Sequence, residues 1–148
     1  MAKLSVLIVD EKIACRDYIQ QALHECDDIA VAATAPTGKI GLDKLQQKKP
    51  DIVLLAEQIS DMSAIQFMHQ ARAIKPDTGV IVTVEENSRE GARSAIAALE
   101  AGAFDFLIKP LNCKKETAVD IIQRRAVPKL RSFRIKNYSK IIQNMGLN

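Results

Sequence analysis

The chain has 148 residues, 47% of them hydrophobic, which suits one domain that buries roughly 68–70% of its unfolded surface without staples. Its three cysteines, Cys15, Cys26 and Cys113, form no CxxC pair, which argues against a disulfide framework or a zinc ribbon and for a reducing cytoplasm. The net charge of +3 is unevenly placed: Asn112 to Asn148 carries nine basic residues against Glu116 and Asp120, a net +7 that leaves −4 for the rest, so a boundary between an acidic body and a basic tail is expected near Pro110.

Met1 leads into LSVLIV (Leu4–Val9), a run too short to span a bilayer and without a cleavage pattern, so no membrane span or export is expected. Lys12–Glu25 then has helical period, with Ala14, Tyr18, Ile19, Ala22 and Leu23 on one face. IAVAA (Ile29–Ala33) reads as a second strand, Thr37–Gln47 as a helix and DIVLL (Asp51–Leu55) as the third strand. Ser63–Ile74 (helix), GVIVTV (Gly79–Val84, strand), Ser88–Glu100 (helix) and FDFLI (Phe104–Ile108, strand) follow, with a fifth helix from about Lys114. Near-continuous apolar strands alternating with helices predict an α/β three-layer sandwich around a five-stranded parallel sheet.

Such a fold places its chemistry at the carboxyl ends of the strands. Those positions hold Asp10 and Glu11, then Ala56 with Glu57 and Gln58, then Val84 with Glu85, and finally Lys109 and Pro110. The acidic pair, GLDKLQQKKPDIVLL before the third helix and ALEAGAFDFLIKP at the fifth strand resemble the receiver domain of two-component response regulators. EAGAFDFLIKP is most similar to the receivers of chemotaxis methylesterases, and the likeness covers about residues 4 to 126.

The resemblance implies a flavodoxin-like sheet of order 2-1-3-4-5 and a site where an aspartate accepts a phosphoryl group from a histidine kinase. Mg²⁺ is held there by that aspartate and the acidic pair, since a hard cation takes oxygen ligands, a lysine pairs with the phosphate as a point charge, and a hydroxyl after strand four completes the site. In this chain Asp10 and Glu11 match the acidic pair, Lys109 the lysine, and Pro110 a proline preceded in the family by a cis peptide bond. Ala56 stands at the phosphoacceptor position. Counting along GVIVTV places Val84 at the hydroxyl position, and a register shift of one would put Thr83 there instead. Phe106 occupies the place of the family's switching aromatic, and equally reads as an inward core residue. The family's MPDMDG loop reads ISDMSA, with Ser60 for proline and Ala64 for glycine.

With the acceptor gone, Lys109 is expected to pair with Asp10, Mg²⁺ to bind weakly through Asp10 and Glu11 or not at all, and Glu57 to be a solvated loop carboxylate facing away from Ala56. Several coincident departures favour a naturally degenerate receiver that works by protein contact and is no enzyme. The alternative is an ordinary phosphoaspartate receiver, cut from a larger regulator and silenced by an Asp-to-Ala change at 56. His24 and His69 lack partner histidines, and TGKIG around Gly38 and Gly41 lacks the spacing of a phosphate-binding loop.

The expected organisation is a receiver-like domain over 1–126 and a basic amphipathic helix or linker over 127–148. Pro128 should break or restart the helix there, with Leu130, Phe133, Tyr138, Ile141, Ile142 and Met145 as an apolar stripe and Gly146 as a C-cap. Protein partners are expected on the fourth-helix, fifth-strand and fifth-helix face around Ala92 to Lys109, and a homodimer through the C-terminal helix. No DNA-binding motif is visible, so no nucleic-acid partner is expected.

Overall fold

A computed structural model describes residues 2–146. Its elements are β1 (Leu4–Val9), α1 (Ile13–His24), β2 (Ile29–Ala35), α2 (Gly38–Lys48), β3 (Ile52–Ala56), α3 (Ala64–Ile74), β4 (Gly79–Glu85), α4 (Arg89–Glu100), β5 (Asp105–Lys109) and α5 (Lys115–Asn144). The strands form one parallel sheet of order β2-β1-β3-β4-β5. Val, Ile and Leu dominate the central strands because both sheet faces are covered, and β3 is buried at every position.

Side-chain alternation sends each strand's residues into two separate cores. Leu4, Val6, Ile8, Leu54, Ile81 and Leu107 meet α1 and α5, whereas Leu7, Val9, Val53, Leu55, Val82 and Val84 meet α2, α3 and α4. Ser63 starts α3 with a reciprocal cap, its hydroxyl accepting from Gln66 N while the Gln66 side chain accepts from Ser63 N. At the end of α4 the chain turns through Gly102 at φ +102°, where an added Cβ would meet the Arg72 guanidinium at 2.8 Å. That guanidinium donates to Ala101 O and Gly102 O.

The C-terminal segment differs from the two-part organisation expected at 126/127. Pro128 lies inside α5, a single 30-residue helix about 45 Å long at 1.5 Å per residue. The proline's missing N–H and ring cost that turn a hydrogen bond, but the apolar face continues through it: Ala126, Val127, Leu130 and Phe133 are all buried against the sheet. Packing on both sides of Pro128 therefore holds the helix together. The extra C-terminal helix is present as an extension of α5.

The charge step near Pro110 is likewise no domain boundary. Arg131 makes a two-pronged bond to Asp28 at 2.9 and 3.1 Å, Lys129 bonds Asp105 at 3.0 Å and Phe106 O at 2.7 Å, and Arg125 donates to Ile108 O. The basic tail is the helix that docks on the acidic-leaning body. Among the described residues, no helix is long and apolar enough to cross a membrane.

Candidate functional site

β1, β3, β4 and β5 end together, and their ends bring Asp10, Ala56, Thr83, Glu85 and Lys109 into one place. The register pairs Ala56 with Thr83 and Glu85 with Lys109, and Val9 with Leu55, so Asp10 and Ala56 emerge at one level. Asp10 and Lys109 are 2% and 4% exposed. Lys109 Nζ donates to Asp10 Oδ2 at 2.7 Å, and the other carboxylate oxygen accepts from Lys12 N at 2.9 Å. Two charges can be buried here because each is the other's partner.

β4 runs one residue further than the sequence indicates, to Glu85. Alternation then puts Ile81, Thr83 and Glu85 on the site face and Val80, Val82 and Val84 on the other. Val84 packs in the core under α4, which corrects its placement at the hydroxyl position; Thr83 lines the site instead. The β4 residue level with Lys109 is Glu85, which sequence reasoning did not single out. Glu85 accepts a hydrogen bond from Lys12 Nζ across the mouth of the site. That bond holds Glu85 below the usual carboxylate range and raises the Lys12 ammonium. The signal that could have found Glu85 was the i, i+2 spacing from Thr83.

Between the two ion pairs lies a cavity of about 80 Å³, lined by Asp10, Lys12, Glu57, Thr83, Glu85 and Lys109 among others. It is large enough to hold water. Glu57 is half-buried and borders this cavity, and its N–H donates to Thr83 O, which carries the β3 pairing one step past the strand.

Asp10 and Glu11 both border this cavity, but their carboxylates take different partners. Glu11 is exposed and its carboxylate accepts from Ser60 N in the β3–α3 loop, which lowers its pKa. Asp61 in the same loop accepts from Gly38 N at 3.0 Å and Lys39 N at 2.9 Å. The amino end of α2 that TGKIG forms is therefore capped from within the chain. Among the described residues, no cluster of three or more His, Cys, Asp or Glu side chains could hold a metal ion. The Mg²⁺ implied by the receiver resemblance does not fit: Ala56 offers no oxygen, Glu11 is drawn away, and Asp10 is committed to Lys109.

The peptide bond before Pro110 is trans, which corrects the cis expectation. Glu86 holds both sides of this turn, its N–H donating to Lys109 O and its carboxylate accepting from Leu111 N. Phe106 is half-buried, with the Lys129 ammonium 4.9 Å from its ring centre. It walls a groove of about 680 Å³ with Ala92, Ile96, Leu99 and Ile108. His24 and His69 are exposed.

A five-stranded parallel sheet of this order, with acidic, lysine and hydroxyl side chains gathered at its carboxyl edge, defines the receiver class of phosphorelay proteins. Residues 6–122 match the response regulator receiver domain, and the chain belongs to that family. It is 33% identical over 134 residues to the protein-glutamate methylesterase/protein-glutamine glutaminase of Trichodesmium erythraeum, covering 90% of this chain and 38% of that protein. The corresponding protein of Desulfotalea psychrophila is 37% identical over 110 residues, 74% of this chain and 30% of that one. This chain thus spans between about a quarter and two-fifths of the curated relatives it matches. Among solved structures, the response regulator domain of Thermotoga maritima CheB superposes with a TM-score of 0.74 at 24% identity, covering 88% of this chain and 95% of that one. The fold of the two is the same.

Proposed function

We propose that this receiver domain accepts no phosphoryl group and signals by binding other proteins. The observation that carries the reading is the closed Asp10–Lys109 pair, 2.7 Å apart and buried, beside Ala56. A phosphoacceptor needs a carboxylate at the end of β3, and alanine has none. Lys109, which would meet a phosphate, is already neutralised by Asp10, and Lys12 is neutralised by Glu85. A receiver silenced by one Asp-to-Ala change would not by that change acquire the Lys12–Glu85 pair or lose Glu11 to Ser60, so these features favour a receiver that has given up phosphorylation altogether. Mg²⁺ has at most a weak place in this reading.

The apolar groove over α4 and β5 is the proposed partner surface: Ile96 and Ile108 are 58% and 38% exposed beside it. A second copy docking through the distal part of α5 belongs to the same reading, as does a cytoplasmic setting in which Cys15, Cys26 and Cys113 stay free thiols. The domain has no catalytic role of its own in this reading, and the methylesterase and glutaminase activities belong to relatives of more than twice its length.

The test is incubation with acetyl phosphate and Mg²⁺ followed by intact-mass measurement. An unmodified mass is expected. A stable phosphoryl adduct mapped to any aspartate overturns the proposal and restores an ordinary receiver.

A further inference from the structure

Two of the three cysteines face one cleft. Cys15 lies in the first turn of α1, and Cys113 just ahead of the amino end of α5. The two helices lie side by side on one face of the sheet and run in the same direction. The Gln123 amide donates to Ala22 O at 3.4 Å and to the Glu25 carboxylate at 2.9 Å, partners 101 and 98 residues away in the chain. Both helices rise about 1.5 Å per residue, so the same offset holds towards their amino ends. Cys113 follows Cys15 by 98 residues and stands level with it. Between them is a cleft of about 390 Å³, walled by Cys15 on one side and Cys113 and Lys115 on the other, with Tyr18 and Ala118 at its base. The Tyr18 hydroxyl donates to the Cys15 sulfur at 3.4 Å. Burial first, then that bond, and last the nearby Cys113 thiol raise this hydroxyl above its ordinary value, so both sulfurs lie around one ring. Cys26 is beyond the far end of α1, about 16 Å along the axis from Cys15.

We propose that Cys15 and Cys113 are an oxidisable dithiol pair, which a peroxide converts to a reversible disulfide within the chain. Cys113 is exposed and Cys15 half-buried, so Cys113 reacts first. Its thiolate attacks one peroxide oxygen, the O–O bond breaks, and the departing hydroxide takes the thiol's proton and leaves as water. A sulfenic acid remains on Cys113. The Cys15 thiolate then attacks that sulfur: the S–S bond forms, the S–O bond breaks, and a second water leaves with the Cys15 proton. Two thiols are oxidised and one peroxide is reduced to two waters. A disulfide needs Cα atoms within about 7 Å, so Cys113 is drawn across the cleft. Leu111, Asn112, Cys113 and Lys114 are exposed, and no buried side chain opposes that movement. In a reducing setting both residues rest as thiols, and thiol exchange restores them after oxidation. Lys12, Lys109 and Pro110 line the same cleft, so the bond ties the turn carrying Lys12 to the loop behind Lys109 and braces the mouth of the site. It also closes a loop of about 100 residues, which restrains the unfolded chain.

The whole chain, treated with hydrogen peroxide and then alkylated, should lose two hydrogens in mass and take up label at Cys26 alone. Trypsin puts the three cysteines in separate peptides, Ile13–Arg16, Asp17–Lys39 and Ser94–Lys114. The first and third should be recovered joined, and dithiothreitol should release them. The oxidised chain should unfold at a higher urea concentration than the reduced one. Cys113→Ser and Cys15→Ser should each abolish the joined peptides and the urea shift, whereas Cys26→Ser should keep both. Three thiols surviving peroxide, a bridge through Cys26, a disulfide between two copies, or a bridged chain whose urea midpoint does not move overturns the proposal.

Discussion

Replacing Lys109 with methionine keeps most of the side-chain volume and removes the one cation bonded to the Asp10 carboxylate. Asp10 then stays buried with a single protein hydrogen bond, from Lys12 N at 2.9 Å. Breaking a buried pair by removing one partner costs about 3–5 kcal/mol, because the remaining charge is uncompensated. Set against a total stability of roughly 5–15 kcal/mol for a domain, that is a large fraction. The companion Asp10→Asn, Lys109→Met removes both charges and keeps an acceptor for Lys12 N, so it should recover to within about 1–2 kcal/mol of the parent chain. Urea unfolding at pH 7 with a common slope measures both values. Lys12, whose ammonium lies over the same cavity, and Arg16, whose guanidinium donates to Asp10 O at 2.7 Å, are near enough to interfere; repeating the series in a Lys12→Ala, Arg16→Ala background removes those routes. A loss below about 1 kcal/mol for Lys109→Met in both backgrounds, or a double variant as unstable as the single one, would refute the claim that the pair is closed and desolvated.

Ala56→Asp should lower stability at pH 7 by about 1–3 kcal/mol, since it places another carboxylate at a buried position level with Asp10; because Glu11 is held by Ser60, millimolar Mg²⁺ should restore less than about 1.4 kcal/mol, the gain expected at ten times Kd. Gly79→Ala should cost about 1–3 kcal/mol by overpacking, as its Cβ would stand 2.4 Å from the Phe133 ring, and Phe133→Leu should relieve part of that loss in a double-mutant cycle. Leu130→Ala should cost about 2–5 kcal/mol without changing the sedimentation mass, because Leu130 faces the sheet and not the exposed side of α5. Burial raises the Tyr18 hydroxyl above its ordinary value, so its contribution is fully present below about pH 10 and is lost above it, at up to about 1.4 kcal/mol per pH unit; Tyr18→Phe should flatten the alkaline limb of stability against pH, and an unchanged limb would count against burial as the cause.

The strands' apolar runs and the helices' spacing were readable residue by residue, because burial on both sheet faces demands them. The same was true of Ala56, Asp10 and Lys109, which sit at strand ends where a parallel sheet must place its site. Val84 was misassigned because it closes the apolar run: alternation keeps Thr83 with Glu85 on the site face and leaves Val84 in the core under α4. Pro128 misled because its local cost was weighed alone, whereas Ala126, Leu130 and Phe133 pack the turns on either side of it.

What the sequence by itself determined was the parallel α/β architecture, the receiver likeness and the alanine at the end of β3, since each rests on residue type and local spacing. Tertiary structure alone decided which charges meet. Lys12 with Glu85 and Glu11 with Ser60 are pairs 73 and 49 residues apart, joined by register and loop path, which no local pattern encodes. It also divided the C-terminal stripe in two, because at about 100° per residue Leu130 and Phe133 face the sheet, whereas Ile135, Tyr138 and Ile142 come round to the exposed side of the same helix.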